Sequence, residues 1–278
     1  MTAVSLQEVL KPAMEEHRAV AGLVVLGWED ARAYVEAAEE TGIPIILQAG
    51  PGCRAHTPVP ILGKIFRHLA DQASVPIVCH IDHGYSVQEC LEGIDSGFTS
   101  VMFDGSKLPI SENIDTTARI VEKADAAGVS VEGEVGFVGY AVGTSSAITL
   151  PEEAARFNNE SGATALAISV GNVHLKTEKT SGINFDALKA IEEVTTLPLV
   201  LHGGSGIPVK IRKRLARESR VSKFNIGTEL RMAFGNSLRK SLTENPKIFD
   251  RITLLSPTVD AVKSVTIEVI CALNGKPE

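Results

Sequence analysis

The sequence has 278 residues, with 27 Lys and Arg against 34 Asp and Glu, a formal charge of −7, and 44% hydrophobic residues. That balance excludes a generally basic nucleic-acid binder and fits a globular chain with a sizeable core. No uncharged apolar run is long enough to span a bilayer, and Glu8, Lys11, Glu15 and Glu16 spoil any signal-peptide pattern, so a cytoplasmic protein without a membrane partner is expected.

An opening helix is predicted over Leu6–His17. Strand-like runs then alternate with helix-periodic ones, the pattern of repeated βα units around a parallel sheet. The predicted strands are Ala21–Leu26, Pro44–Gln48, Pro76–His80, Thr99–Phe103, Val129–Glu134, Ala163–Ile168, Leu197–Leu201 and Val221–Ile226. Helices among them include Trp28–Glu40, Val87–Asp95, Ile110–Ala127, Pro151–Asn159, Asn184–Glu193 and Pro208–Arg217, and two more, Thr228–Leu242 and Pro257–Leu273, close the chain. Eight evenly spaced strands, with no Gly-x-Gly-x-x-Gly at the first turn, favour a closed (β/α)8 TIM barrel over an open doubly wound sheet. Nothing resembles a linker, so residues 1–278 read as a single α/β domain with extra N-terminal and C-terminal helices.

Chemistry gathers after the later strands. Asp82-His83 follows the third, Asp104-Gly105-Ser106 the fourth, and Glu132 and Glu134 end the fifth. Gly171-Asn172-Val173-His174 follows the sixth, His202-Gly203-Gly204-Ser205-Gly206 the seventh, and Asn225-Ile226-Gly227-Thr228-Glu229 stands at the eighth. Reacting groups of such barrels come from C-terminal strand ends, and His83, His174 and His202 converge only if the strands curl together. Three neutral imidazoles are a zinc ligand set that leaves a coordination position open. Each histidine alone is more often structural than a ligand; their joint placement reverses the odds. Glycine-rich loops after the seventh and eighth strands let backbone amides approach an anion, so a phosphorylated substrate is expected. Glu132 and Glu134 both point inward on a period-two strand, where a cation or hydrogen-bond donors must lie nearby, and His80, Asp82 and Glu134 are equally readable as a buried polar network.

Other features have plain readings. His17, His56 and His68 lack partners in sequence and count as surface or structural residues. The basic run Lys210–Arg214 is a solvated helix face. Cys53, Cys79, Cys90 and Cys271 form no Cys-x-x-Cys pair and read as free thiols in a reducing compartment.

Taken together, these motifs resemble the class II, zinc-dependent ketose-bisphosphate aldolase family, which includes fructose- and tagatose-bisphosphate aldolases. His80-Ile81-Asp82-His83 is similar to its catalytic aspartate and first zinc histidine, Ser100–Ser106 to its fourth-strand motif, and Val131-Glu132-Gly133-Glu134-Val135-Gly136 to its glutamate pair. Gly171–His174 and Leu201–Gly206 match the second and third zinc histidines, the latter with the phosphate loop, and Phe224–Glu229 matches the closing substrate loop. The resemblance implies reversible cleavage of a ketose phosphate to dihydroxyacetone phosphate and an aldehyde, in a homodimer or homotetramer. Zinc on His83, His174 and His202 would polarise the ketone and stabilise the enediolate, and Asp82 would move the C4 hydroxyl proton. Asp104 and Glu134 would offer a second cation position. Gly203, Gly204, Ser205, Asn225, Gly227 and Thr228 would hold phosphate and enediolate hydroxyls, and ungapped register places Lys179 where the family has a phosphate-facing lysine.

The chain also departs from the family. Leu175 replaces a glycine after the second zinc histidine, Gly50 a serine or threonine, and Val24 an asparagine. Gly139-Tyr140-Ala141-Val142-Gly143-Thr144 stands where an acid-rich loop normally supplies a mobile glutamate. No arginine aligns for a second phosphate, and Arg251 and Lys263 cannot be placed, so an unphosphorylated aldehyde half is expected and fructose 1,6-bisphosphate should be a poor substrate. Two rival readings are a catalytically silent barrel that binds zinc or sugar phosphate, and a metal-assisted sugar-phosphate isomerase or epimerase. Asp82 beside His83 favours an enzyme over the silent barrel.

Overall fold

A computed structural model of the chain describes residues 2–139, 146–179 and 182–275. The sheet is closed and wholly parallel. Its strands are β1 (Val20–Val24), β2 (Ile45–Ala49), β3 (Ile77–Gly84), β4 (Ser100–Phe103), β5 (Ser130–Val135), β6 (Ala165–Ile168), β7 (Leu199–Leu201) and β8 (Val221–Ile226). They pair in chain order, and β8 returns to β1 with Ala21 opposite Phe224. This is the (β/α)8 barrel that the strand spacing predicts.

Period-two alternation divides the barrel into two apolar layers. On β3, Ile77, Cys79 and Ile81 face the helices, whereas Val78 faces the barrel interior. The lower interior is sealed by α1 (Leu6–Glu15), the opening helix expected from the sequence. Leu6, Val9, Leu10 and Ala13 recur at i, i+3, i+4 and i+7, one face of a helix. That face packs on Val20, Ile46, Val78, Met102 and Val200 inside the N-terminal mouth. Each fully buried leucine contributes roughly 1.5–3 kcal/mol there. Ser5 and Glu8 cap the plug, with the Ser5 amide donating to Glu8 Oε2 at 2.7 Å. With the bottom closed, chemistry is confined to the C-terminal mouth.

The outer ring is formed by α2 (Trp28–Thr41), α3 (Pro51–His56), α4 (Val59–Gln72), α5 (Val87–Asp95), α6 (Ile110–Ala126), α7 (Pro151–Glu160), α8 (Phe185–Glu192), α9 (Val209–Glu218), α10 (Thr228–Glu244) and α11 (Arg251–Asn274). The last helix starts six residues before the predicted Pro257. Asp250 caps it, accepting from the Thr253 amide at 2.7 Å, and Ser237 on α10 donates to the Pro257 carbonyl at 3.1 Å. A strong cap thus outweighs the break that proline normally imposes. Among the described residues no helix is long and apolar enough to cross a membrane.

Candidate active site

The end of β3 departs from regular strand geometry. Its pairing with β4 slips between Ile81 and Gly84, and His83 adopts φ 54°, a left-handed conformation unusual for a residue other than glycine. Consecutive strand residues normally face opposite sides, but here Asp82 and His83 both line the mouth. His83 Nδ1 lies 2.8 Å from Asp104 Oδ2, while Asp104 Oδ1 accepts from the Ser106 hydroxyl at 2.6 Å.

His174 follows β6, in a loop where its amide donates to the Gly139 carbonyl at 2.8 Å. That loop and the one after β7 touch at Gly203. A Cβ there would stand 2.2 Å from the Val173 carbonyl, and φ is +67°, so only glycine fits. His202 directly follows β7 and is fully buried, with Nε2 3.2 Å from Glu132 Oε1. A carboxylate only accepts, so the proton belongs on Nε2 and Nδ1 is left with a bare lone pair. Nδ1 has no hydrogen-bond partner and lies 3.7 Å from Glu134 Oε2, which is also unpartnered.

The ligand atoms of His83, His174 and His202 lie within 4.8 Å of one another, as do those of His83, Asp104 and Glu134. Atoms sharing a tetrahedral zinc are about 3.4 Å apart, so a small contraction closes either set on an ion. The electrostatics also call for positive charge. His83 is pushed up to about 9: burial lowers it, but Asp82, Asp104 and Glu134 outweigh burial. Glu134 is raised to about 8 by burial and by the Asp104 charge. His174 is pulled down to about 4, first by burial and then by repulsion from His83. Crowded acids therefore force a proton onto one imidazole and another onto a carboxyl. A divalent cation in the same place would relieve both.

Beneath these groups Glu132 accepts from Lys223 Nζ at 2.7 Å, and its Oε2 lies 3.8 Å from His80 Nε2. His80 Nδ1 meets the Ser100 hydroxyl at 2.8 Å. The inward Glu132 thus finds its counter-cation on β8, and His80 belongs to this deeper network.

Above them lies a cavity of about 320 Å³, whose lining includes Asp82, His83, His174, Gly203, Ser205, Asn225, Gly227 and Thr228. Asn225 Nδ2 donates to Asp82 Oδ1 at 3.1 Å. The Ser205 hydroxyl accepts from the amides of Gly227 and Glu229 at 3.2 and 3.3 Å, joining the loops after β7 and β8.

Two expected substrate residues fall elsewhere. Lys179 stays outside the cavity lining, pairing with Glu229 at 3.0 Å, and Glu229 is also held by Arg212 at 2.6 Å. The backbone turns at Leu175, with φ 56°, and brings Lys176 into the cavity instead. Gly204 packs under the loop, where a Cβ would stand 2.8 Å from Ile226 Cδ1. Val24 and Gly50 line the cavity where the family has polar residues, and of 139–144 only Gly139 lies within the described residues.

Lys223, Lys176, Arg54 and Arg231 were missed from sequence. Lys223 has the strand parity of Asn225, and Arg231 stands three residues after Thr228 on α10, so spacing could have found both. Where no arginine aligned for a second phosphate, the structure puts Arg231 in the cavity lining. Half-buried, it donates to the Thr228 hydroxyl at 3.2 Å and makes no ion pair among the described residues. It also borders an adjoining cavity of about 480 Å³ that reaches Arg251, whereas Lys263 is tied to Glu40 at 2.8 Å.

Comparison with known proteins supplies the family. Residues 4–276 match the family described as fructose-bisphosphate aldolase class-II. The chain is 35% identical over 276 residues to a fructose-bisphosphate aldolase of Geobacillus stearothermophilus, covering 96% of this chain and 95% of that one. It is 36% identical over 273 residues to a 6-phospho-5-dehydro-2-deoxy-D-gluconate aldolase of Bacillus licheniformis, covering 95% and 92%. The crystal structure of the YdjI aldolase from Escherichia coli K12 superposes with a TM-score of 0.84 at 29% identity, covering 99% of this chain and 100% of that one. With its barrel, its histidine cluster and its adjacent aspartate accounted for, the chain belongs to the class II fructose-bisphosphate aldolase family.

Proposed function

We propose that this protein is a zinc-dependent aldolase that reversibly cleaves a phosphorylated ketose to dihydroxyacetone phosphate and an aldehyde. The observation that carries the reading is Asp82 beside the three-histidine group, in one cavity with the loops after β7 and β8. His83, His174 and His202 would hold the zinc, and His83, Asp104 and Glu134 a deeper second cation. Bound zinc supplies Lewis acidity toward the substrate carbonyl and the enediolate left by C–C cleavage.

The chain's own groups do the rest. Asp82 is fixed through Oδ1 by Asn225, leaving Oδ2 toward Gly50, where a side chain would narrow the space beside it. From there Asp82 takes the C4 hydroxyl proton in cleavage and returns it in condensation. Ser205, Gly203, Gly227 and Thr228 surround the phosphate position, with Lys176 as the nearby cation; Gly204 shapes that loop and Lys179 braces its rim through Glu229.

Arg231 bears on the other end of the substrate. The names of the relatives pair one phosphate with a second anion, either another phosphate or a gluconate carboxylate. Arg231 is placed to meet such an anion on the aldehyde half. Arg231→Met is expected to raise KM about tenfold or more for a ketose phosphate with an anionic far end, leaving a neutral-ended ketose 1-phosphate within about twofold. Equal effects on both substrates would remove Arg231 from specificity.

Four buried free thiols support a reducing, cytoplasmic setting, and exposed apolar Phe249 and Ile252 support a homodimer or homotetramer. The decisive experiment is metal analysis followed by incubation of dihydroxyacetone phosphate with a panel of aldehydes. One zinc per chain, loss of activity on chelation and its return with zinc are expected. A single isomerised product, or none, would overturn the aldolase assignment.

A further inference from the structure

We propose that Arg54 is a positioning residue for the reaction, clamping the irregular end of β3 so that Asp82 and His83 face the same cavity; this rests on the aldolase reading above. Arg54 stands on α3, and its side chain is 8% exposed. Nη1 donates to the carbonyls of Ala49 and Asp82, both at 2.6 Å. Nη2 donates to the His83 carbonyl at 2.8 Å and to Glu89 Oε2 at 3.2 Å. One planar fork therefore ties the ends of β2 and β3 to α5.

The backbone explains why the fork is needed. A regular strand would send Asp82 and His83 to opposite faces, and only the left-handed turn at His83 with the register slip beside it turns both to the mouth. Such a conformation is strained for histidine and persists only where its surroundings over-determine it. Beyond the slip, the Gly84 carbonyl accepts from the amide of Asp104, the residue after β4, at 2.8 Å. The carbonyls of Asp82 and His83 both accept from Arg54, and a buried carbonyl that lost such a donor would pull the segment toward another conformation. A proton acceptor and a metal ligand are thus set by the backbone of two consecutive residues, and Arg54 grips that backbone without touching substrate.

The test uses Arg54→Met, Arg54→Lys and Arg54→Ala in the full chain. Below the melting temperature of each variant, Arg54→Met is expected to lose about a hundredfold in kcat with KM within about threefold, as a misplaced reacting group does. Its zinc affinity should fall about tenfold or more, as when a ligand loses its orienting partner. Methylguanidinium should restore much of the kcat of Arg54→Ala, while methylammonium, which lacks the fork, should not. A folded Arg54→Met with kcat and zinc affinity within twofold of wild type overturns the proposal, even if its melting temperature falls. If Arg54→Met does not fold, Arg54→Lys is read by the same criteria. Should the wild type cleave no ketose phosphate, the aldolase reading fails, and the zinc titration still decides whether Arg54 orders His83.

Discussion

Asp82→Ala is expected to keep stoichiometric zinc and a melting temperature close to that of the wild type, while turnover falls about a hundred- to ten-thousand-fold, the usual range for a general acid–base group. Among the described residues its side chain is tied to the surrounding structure by one hydrogen bond, from Asn225, so its removal disturbs little besides the proton path. It also removes one of the acids crowding the cluster. Its negative charge, however, is well supported: although burial disfavours ionisation, the charge on His83 above all holds the Asp82 carboxyl below its ordinary value. His202→Ala should behave differently. His202 presents the bare Nδ1 beside Glu134 and is oriented through Nε2 by Glu132, so its loss removes zinc and activity together. Metal analysis, thermal melting and steady-state kinetics on both variants separate the roles. Equal zinc loss in the two would make Asp82 a structural neighbour of the metal position and end its assignment as the base.

The barrel was legible because each strand is a compact apolar run followed by a helix-periodic one, and because β-strand and α-helix periods differ too much to confuse over eight repeats. His83, His174 and His202 could be read together because closure of that barrel places the ends of β3, β6 and β7 around one mouth. What escaped lies where local rules compete. No helix was expected between the second strand and residue 76, yet Pro51 opens α3, the helix that delivers Arg54. The alternation that marks β3 breaks at Asp82-His83, so its predicted end falls four residues short of Gly84. Ungapped register chose Lys179 because it could not foresee the turn at Leu175, which gives the cavity to Lys176. Arg231 went unnoticed because a cation one turn into a helix is usually solvated; its neighbours Thr228 and Gly227 make it part of the site. Such residues are set by tertiary contacts, which no window of neighbouring residues contains.

Lys223→Met should be the most destabilising single change at the site, although Lys223 touches no part of the substrate cavity. Both Lys223 and Glu132 are fully buried, and their 2.7 Å pair is, among the described residues, the only cationic contact of Glu132 apart from histidines whose own protonation burial opposes. Breaking such a pair from one side leaves an uncompensated buried charge and typically costs about 3–5 kcal/mol. That is a large share of a typical total stability of about 5–15 kcal/mol, and it implies a melting temperature lower by roughly 10 °C. Lys223→Met combined with Glu132→Gln should recover most of the loss, because the orphaned charge is gone while the amide still offers an acceptor to His202 Nε2. Urea unfolding followed by circular dichroism, with both variants in the presence of chelator, isolates this term from any zinc contribution to folding. If the double variant were no more stable than Lys223→Met, the loss would stem from packing of the lysine stem rather than from its charge, and the ionic account of the barrel interior would fail. If it recovers, the same pair explains how His202 keeps its proton on Nε2: an anion fixed beneath the imidazole, itself held in place by Lys223, leaves Nδ1 facing the mouth.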